Sequence, residues 1–333
     1  MKVPLIFSAN NGFVPYLSVL LESIMDRANA ADQYEIILLH SGVDKDNLSI
    51  IRTQIKKKEN FSFRSINVSN EVATQTFYTK NRIFFTQEAY YRLLAPYLLP
   101  EYEKAIYLDG DMIALVDVAQ LMMIDLKDHL VAAVRDFCGI SDAYDPRSDR
   151  RKHMEKTLCL RNFEEYFISG LMVMNLERFR RDFSQNQILQ MATSREWRYH
   201  DQDLLNQLCE GNTLLLDARW NVLQDYGAHR FMPDRLYKEW KDSSKDPWII
   251  HYGGDAKPWR YPRVKKAKYF WRYARKSPYY RKIKMIRKEE WRNNPIYRTK
   301  YMVQFLFPMG SQVRIWVKKW TVSIWTRIKK EEC

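Results

Sequence analysis

The alternation of apolar strand-like runs with amphipathic helix-like runs constrains this chain most. Val3–Ala9, apolar through Phe7, reads as a buried strand, and Asn10-Asn11-Gly12 as the turn after it. Val14–Met25 then carries apolar residues at helical spacing: Val14, Leu17, Leu20, Leu21 and Ile24. Tyr34–His40 predicts a second strand, Asp44–Lys58 a helix, Phe61–Val68 a third strand, Gln87–Leu99 a helix and Ala105–Leu108 a fourth strand. Further strands are expected at Leu130–Arg135, Gly170–Asn175, Asn212–Leu216 and Trp248–His251. Such a rhythm predicts an α/β fold, a mostly parallel sheet covered by helices on both faces. Ligands of such sheets bind beyond the carboxyl ends of the strands. The residues that follow each strand are therefore the place to look for chemistry.

Charge divides the chain in two. From Lys257 to Cys333 there are 23 Lys and Arg against 4 Glu, whereas the preceding residues hold 31 basic and 36 acidic side chains. A mildly acidic body, 1–262, is thus expected to carry a strongly basic tail, 263–333, which implies an anionic partner. The tail interleaves its cations with Trp271, Trp291, Trp316, Trp320 and Trp325. Val313–Lys330 is expected to be a helix, with Val313, Trp316, Val317, Trp320, Ile324 and Ile328 on one stripe. That pattern suits an interfacial helix on an anionic membrane surface better than a nucleic-acid platform, and no nucleic-acid partner is expected. The nearer part, Lys265–Trp291, is expected to pack partly on the body. Cys138, Cys159, Cys209 and Cys333 are scattered, as expected of free thiols in a reducing compartment. With no signal-peptide pattern and no long apolar stretch, the expectation is a cytoplasmic protein, peripheral on the inner face of the plasma membrane.

Three polar constellations follow strands. In Tyr107-Leu108-Asp109-Gly110-Asp111, two carboxylates one residue apart end an apolar strand. Residues i and i+2 share a face, and paired carboxylates suit a hard cation, Mn2+ or Mg2+; the plainer alternative is a polar turn. In His251-Tyr252-Gly253-Gly254-Asp255-Ala256-Lys257-Pro258-Trp259, an imidazole follows a strand. It would complete a mixed ligand set that Mn2+ accepts. The glycines permit close backbone approach and Lys257 offers a point charge to a phosphate; a packed strand-end histidine is the alternative. In His200-Asp201-Gln202-Asp203, acidic groups stand before a helix expected at Leu204–Cys209. They serve as N-caps or face a reacting group. The first strand is not followed by GxGxxG, which argues against a dinucleotide-dependent dehydrogenase.

Taken in order, these blocks resemble glycosyltransferase family 8, retaining enzymes that include bacterial lipopolysaccharide galactosyl- and glucosyltransferases and glycogenin. The likeness covers roughly residues 3–262. It runs through Phe7-Ser8-Ala9-Asn10-Asn11, Val14-Pro15-Tyr16-Leu17, Tyr90-Tyr91-Arg92-Leu93, Asp109-Gly110-Asp111 and Val134-Arg135-Asp136. It continues through Ser169-Gly170-Leu171-Met172-Val173-Met174-Asn175, Asp201-Gln202-Asp203, Trp220-Asn221 and the run from His251 to Trp259.

The resemblance implies a single Rossmann-like nucleotide-sugar domain of the GT-A type with a mixed, mostly parallel sheet. It implies Mn2+ (Mg2+ as the alternative) on Asp109, Asp111 and His251. It implies a UDP-sugar donor on Ser8, Ala9, Asn10, Arg92, Asp109, Gly110, Gly253 and Lys257. Asp201, Gln202 and Asp203 would be the catalytic group and Asp136 the contact to the acceptor or donor sugar. The implied activity is retaining transfer of a hexose, galactose or glucose, to a saccharide or glycolipid acceptor of a cell-surface glycan such as lipopolysaccharide. The alternative is a non-catalytic sugar-nucleotide-binding relative. Two positions depart from the family pattern. Asn10 stands where the family has an aspartate that accepts the uracil N3–H, and Ile168 stands where it has an asparagine.

Overall fold

A computed structural model describes residues 1–79, 86–223, 231–254, 257–261, 264–293 and 295–307, and the isolated residues 312, 313 and 316. The helix expected at Val313–Lys330 falls almost wholly outside the described residues, as do Asp255 and Ala256 of the late motif.

The strands and helices expected between Val3 and His251 form, with boundaries moved by a few residues. β1 (Lys2–Ser8) is buried along its whole length after Lys2, as befits a central strand covered on both faces. α1 (Val14–Arg27) has Pro15 in its first turn, where the missing N–H would have had no helical partner. It buries Leu17, Leu20, Leu21 and Ile24 in the core. β2 (Gln33–His40) leads to α2 (Lys45–Ile55), whose N-cap Asp44 accepts the Asn47 N–H at 2.7 Å. β3 (Phe61–Asn67) and the single turn α3 (Ser69–Val72) follow.

The helix expected at Gln87–Leu99 divides. Gln87–Leu94 winds as a 3-10 helix and α4 (Ala95–Leu98) continues it. Ala95 N–H bonds Arg92 O in the tighter pattern, and Pro96 has no N–H with which to restore α-type bonding there.

The chain then runs through β4 (Lys104–Leu108), β5 (Met112–Ala114), β6 (Val131–Arg135), α5 (Phe137–Tyr144) and α6 (Arg150–Lys152). β7 (Phe167–Asn175), α7 (Leu176–Asp182), α8 (Gln185–Thr193) and α9 (His200–Leu208) come next. β8 (Thr213–Leu215), β9 (Val222–Leu223), α10 (Asp234–Lys245) and β10 (Ile249–His251) end the sheets. The sequence pattern did not expose β5 and β9, which are three and two residues long.

The main sheet has the order β3-β2-β1-β4-β7-β6-β8. Its pairs are parallel except that β7 runs antiparallel to both neighbours. It is therefore a mixed, mostly parallel α/β sheet. Strand order reverses between β1 and β4, so a crevice opens at their carboxyl ends. A second sheet, β5-β10-β9, lies beyond that end.

The start of the basic tail is part of the body. α11 (Ala267–Ala274) and α12 (Tyr280–Asn293) bring Phe270, Tyr273, Ala274, Tyr279 and Ile283 into the common core. Tyr279 donates to Asn47 Oδ1 (2.7 Å), Tyr273 donates to Asp26 (2.9 Å), and the Ser18 and Ser277 hydroxyls meet at 2.8 Å. Burying an aromatic ring such as Phe270 is worth about 2–3 kcal/mol, so this segment stabilises α1 from outside. α13 (Pro295–Leu306) follows. No described helix is long and apolar enough to cross a membrane.

Candidate active site

Asp109 is the first residue after β4 and Asp111 the last before β5, so the link between the two sheets carries both carboxylates. Gly110 lets this link lie against the loop after β1: a Cβ there would come within 3.1 Å of the Phe13 ring. β10 pairs antiparallel with β5, setting His251 opposite Met112, and Tyr252 N–H bonds Asp111 O at 2.9 Å. Strand pairing thus brings a late histidine beside the early carboxylates. His251 Nε2 is 3.3 Å from Asp111 Oδ1 and 3.8 Å from Asp109 Oδ2, and one ligand atom from each residue falls within 4.8 Å of the others.

Second contacts aim these groups. Asn221 Oδ1 sits 3.0 Å from His251 Nδ1. With Nδ1 carrying a ring proton, Nε2 is the atom that would offer its lone pair to a bound cation. Two carboxylates and an imidazole lone pair converging on one spot are the donor set of a hard divalent cation. Gly170 of β7 leaves room for the cluster, since a Cβ there would lie 2.6 Å from Asp109 Oδ2 and 2.7 Å from His251 Cε1. Gly253 is also packed closely; its Cβ would lie 2.9 Å from Leu223 and 3.4 Å from His251 Nε2.

Lys257 is buried and donates to Asp111 Oδ2. Burial alone would raise the Asp111 carboxyl, but Lys257 and His251 outweigh it and hold the group well below the usual carboxylate range. The neighbouring Trp259 fixes the loop that carries Lys257. It stacks on Tyr16 at 3.9 Å between centroids and packs edge-on to Phe13.

Behind Asp109 lies a buried ion-pair chain. Arg92 donates to Asp109 Oδ1 (2.8 Å), Ser169 O (2.6 Å) and Ala89 O (2.8 Å), and its Nε is 3.1 Å from Asp201 Oδ2. Its guanidinium lies over the Tyr107 ring at 4.1 Å. Arg92 therefore orients Asp109 and Asp201 from inside the protein. Burial pushes the Asp201 carboxyl up to about 6, with Arg92 opposing and Asp109 adding to the shift; Ser169 Oγ also donates to it at 2.8 Å.

The helix carrying the acidic triplet starts earlier than the sequence suggested. Asp201, Gln202 and Asp203 form the first turn of α9 rather than its cap, and Asp203 Oδ2 reaches back to accept the Tyr199 N–H at 2.9 Å. Asp203 also accepts from Tyr166 (2.7 Å) and pairs with His153 Nε2 (2.8 Å), so both of its oxygens are engaged inside the fold. Gln202 is half-buried. Its Oε1 accepts the Ser169 N–H at 3.4 Å, and its Nε2 donates to Asp136 Oδ2 at 3.1 Å. Asp136 caps α5 by accepting the Gly139 N–H at 2.9 Å. Ser8 and Ala9 are buried at the end of β1, and Asn10 begins the loop beyond them. Ile168 is buried in β7, next to Ser169.

The structure thus gathers Asp109, Asp111, His251, Lys257, Arg92 and Asp201 into one cluster, and joins Gln202 to Asp136 beside it. Asn221 and Ser169 belonged to recognised blocks but had no assigned role. Their part is visible only once strand pairing sets them behind His251 and Asp201.

Residues 4–262 match the model of glycosyl transferase family 8, and the chain belongs to that family. Among curated relatives, general stress protein A of Bacillus subtilis (strain 168) is 24% identical over 261 residues, covering 75% of this chain and 85% of the relative. A lipopolysaccharide 1,2-glucosyltransferase of Escherichia coli (strain K12) is 27% identical over 189 residues, covering 54% of this chain and 53% of the relative. Among solved structures, the galactosyltransferase LgtC in complex with donor and acceptor sugar analogues superposes with a TM-score of 0.68 at 22% identity, over 83% of this chain and 96% of that one. The bifunctional glycosyltransferase WbbM superposes with a TM-score of 0.75 at 24% identity, over 85% of this chain and 51% of that one. At these identities the superpositions establish the fold, a GT-A type α/β sheet.

Proposed function

We propose that the chain transfers a hexose, galactose or glucose, from a UDP-sugar to a saccharide or glycolipid acceptor of a cell-surface glycan such as lipopolysaccharide, with retention of configuration and dependence on Mn2+ or Mg2+. The observation that carries this reading is the convergence of Asp109, Asp111 and His251 at the crevice between β1 and β4. A divalent ion held there would act as a Lewis acid on the donor diphosphate.

The chain's own groups supply the rest. Lys257, anchored through Trp259, is placed to exchange Asp111 for a phosphate oxygen and to offset the charge that grows on departing UDP. Arg92 keeps Asp109 aimed at the crevice. Gln202, held by Ser169 and Asp136, is the member of the triplet best able to face the sugar, because it is half-buried whereas Asp201 and Asp203 are buried. Asp136, whose Oδ2 accepts from Gln202, would meet the sugar beside it.

The test is UDP release from UDP-galactose and UDP-glucose, with and without Mn2+ and with saccharide acceptors. Wild type should release UDP only with the metal, and Asp111→Asn should lose at least about a hundredfold of the rate. Metal-dependent binding of UDP-sugar without turnover on any acceptor would instead support the non-catalytic alternative.

The basic tail supports a membrane-surface location. α12 exposes Met285 (60%) and Trp291 (36%) among Arg281, Lys282, Lys284, Arg287, Lys288 and Arg292. Exposed apolar groups among cations match an anionic lipid interface. We propose that this face, together with the rest of the basic tail, 263–333, associates with the inner leaflet of the plasma membrane, where a lipid-borne acceptor would be met.

A further inference from the structure

The 3-10 helix Gln87–Leu94 lies across the carboxyl ends of β1 and β2. Gln87 Nε2 reaches Ser41 Oγ after β2 at 3.4 Å, and Glu88 Oε2 accepts from Asn10 Nδ2 after β1 at 3.3 Å. Asn10 Oδ1 accepts the Phe13 N–H at 3.1 Å. The two contacts fix the amide's orientation, since the backbone N–H can only donate and a carboxylate can only accept. Asn10 is therefore occupied at both ends. Glu88 is half-buried, and among the described residues its second oxygen, Oε1, makes no hydrogen bond. Asp44, another carboxylate at this end of the sheet, accepts from Asn47 N and Nδ2 in capping α2. A strong, directed acceptor thus stands at the β1 edge of the crevice, supplied by Glu88.

β1 is the immediate neighbour of β4, with Ile6 opposite Tyr107. A nucleotide whose diphosphate lies at Asp109 and Asp111 and whose base extends over β1 brings that base to Asn10 and Glu88. We infer that Glu88, oriented by Asn10, reads the edge of the donor's base and selects uracil by accepting its imide N–H. Cytosine turns a ring-nitrogen lone pair to the same place, and two acceptors facing each other are repelled. A site built around one hydrogen bond discriminates strongly against a ligand that cannot make it. Asn10 then acts as a positioning residue. Its amide holds one Glu88 oxygen so that the other is presented to the base.

The inference rests on the nucleotide-donor reading, and the test separates the two. Dissociation constants for UDP, CDP and inorganic pyrophosphate are measured calorimetrically with saturating Mn2+, for wild type and Glu88→Gln. Glutamine keeps the size of the side chain but can turn a donor toward cytosine N3. The expected result is that wild type prefers UDP to CDP. In Glu88→Gln, UDP affinity should fall by about tenfold or more, CDP affinity should hold or rise, and pyrophosphate affinity should not change. An unchanged UDP-to-CDP ratio in Glu88→Gln would overturn the role of Glu88 and leave the donor reading standing. Wild type that binds neither nucleotide would overturn both.

Discussion

His251 Nε2 lies 3.3 Å from Asp111 Oδ1 because β10 and β5 are paired strands. The two residues belong to distant parts of the sequence, yet the small second sheet sets His251 opposite Met112, the residue after Asp111. The candidate metal cluster is thus built on hydrogen-bonded backbone rather than on free loops, and groups one shell out should control it.

Gly170 is the tightest of these. A methyl group there would overlap both Asp109 Oδ2 and His251 Cε1. Gly170→Ala should weaken Mn2+ binding by about tenfold or more. Calorimetric titration with Mn2+ checks this, with the far-ultraviolet spectrum confirming that β7 still forms.

Asn221 acts through the imidazole. Asn221→Ala removes the acceptor for His251 Nδ1–H and frees the ring to rotate or change tautomer. Loss of such a partner typically costs about 10–100-fold in metal affinity. Mn2+ titration of the variant should show that loss, while urea unfolding without metal should move little.

Arg92 should matter most for stability. Arg92→Met would leave Asp109 and Asp201 without their shared counter-ion. Removing one partner of a buried pair costs about 3–5 kcal/mol. Arg92→Lys should recover only part of it, because an ammonium cannot span the fork from Asp109 to Ser169 O. Urea midpoints of the three proteins give the comparison.

Asp201 supplies a pH signature. Burial raises its carboxyl from 3.8 to about 6 in the folded state. Between those values the folded chain holds more protons than the unfolded chain, so Asp201's contribution to stability is present at low pH and fades as pH rises toward 6. The loss is about 3 kcal/mol. Asp201→Asn should lack this downward slope. Unfolding free energies of both proteins from about pH 4 to 7, measured with chelator present, decide the point.

Much of the main sheet was legible because its strands are long and apolar. β1 and β2 announce themselves through Val3–Phe7 and Ile36–Leu39, and α1 through its helical stripe. β5 and β9 were not legible, since two or three residues give no periodicity to count. The site shows the same division. Asp109, Asp111, His251 and Lys257 stand out as polar groups after apolar strands, and the structure brings them together. The different duties within Asp201-Gln202-Asp203 were hidden. They depend on partners from other elements: Arg92 for Asp201, Asp136 for Gln202, and His153 with Tyr166 for Asp203. Nothing local in the sequence announces such partners.

The measurement closest to the centre of this account is Mn2+ binding, followed by electron paramagnetic resonance in the presence of UDP, for wild type, Asp109→Asn, Asp111→Asn and His251→Ala. Wild type should bind one ion per chain, and each substitution should weaken it by at least about tenfold. Unchanged Mn2+ affinity in any of the three variants would contradict the assignment of that residue to the ion, and unchanged affinity in all three would contradict the site itself.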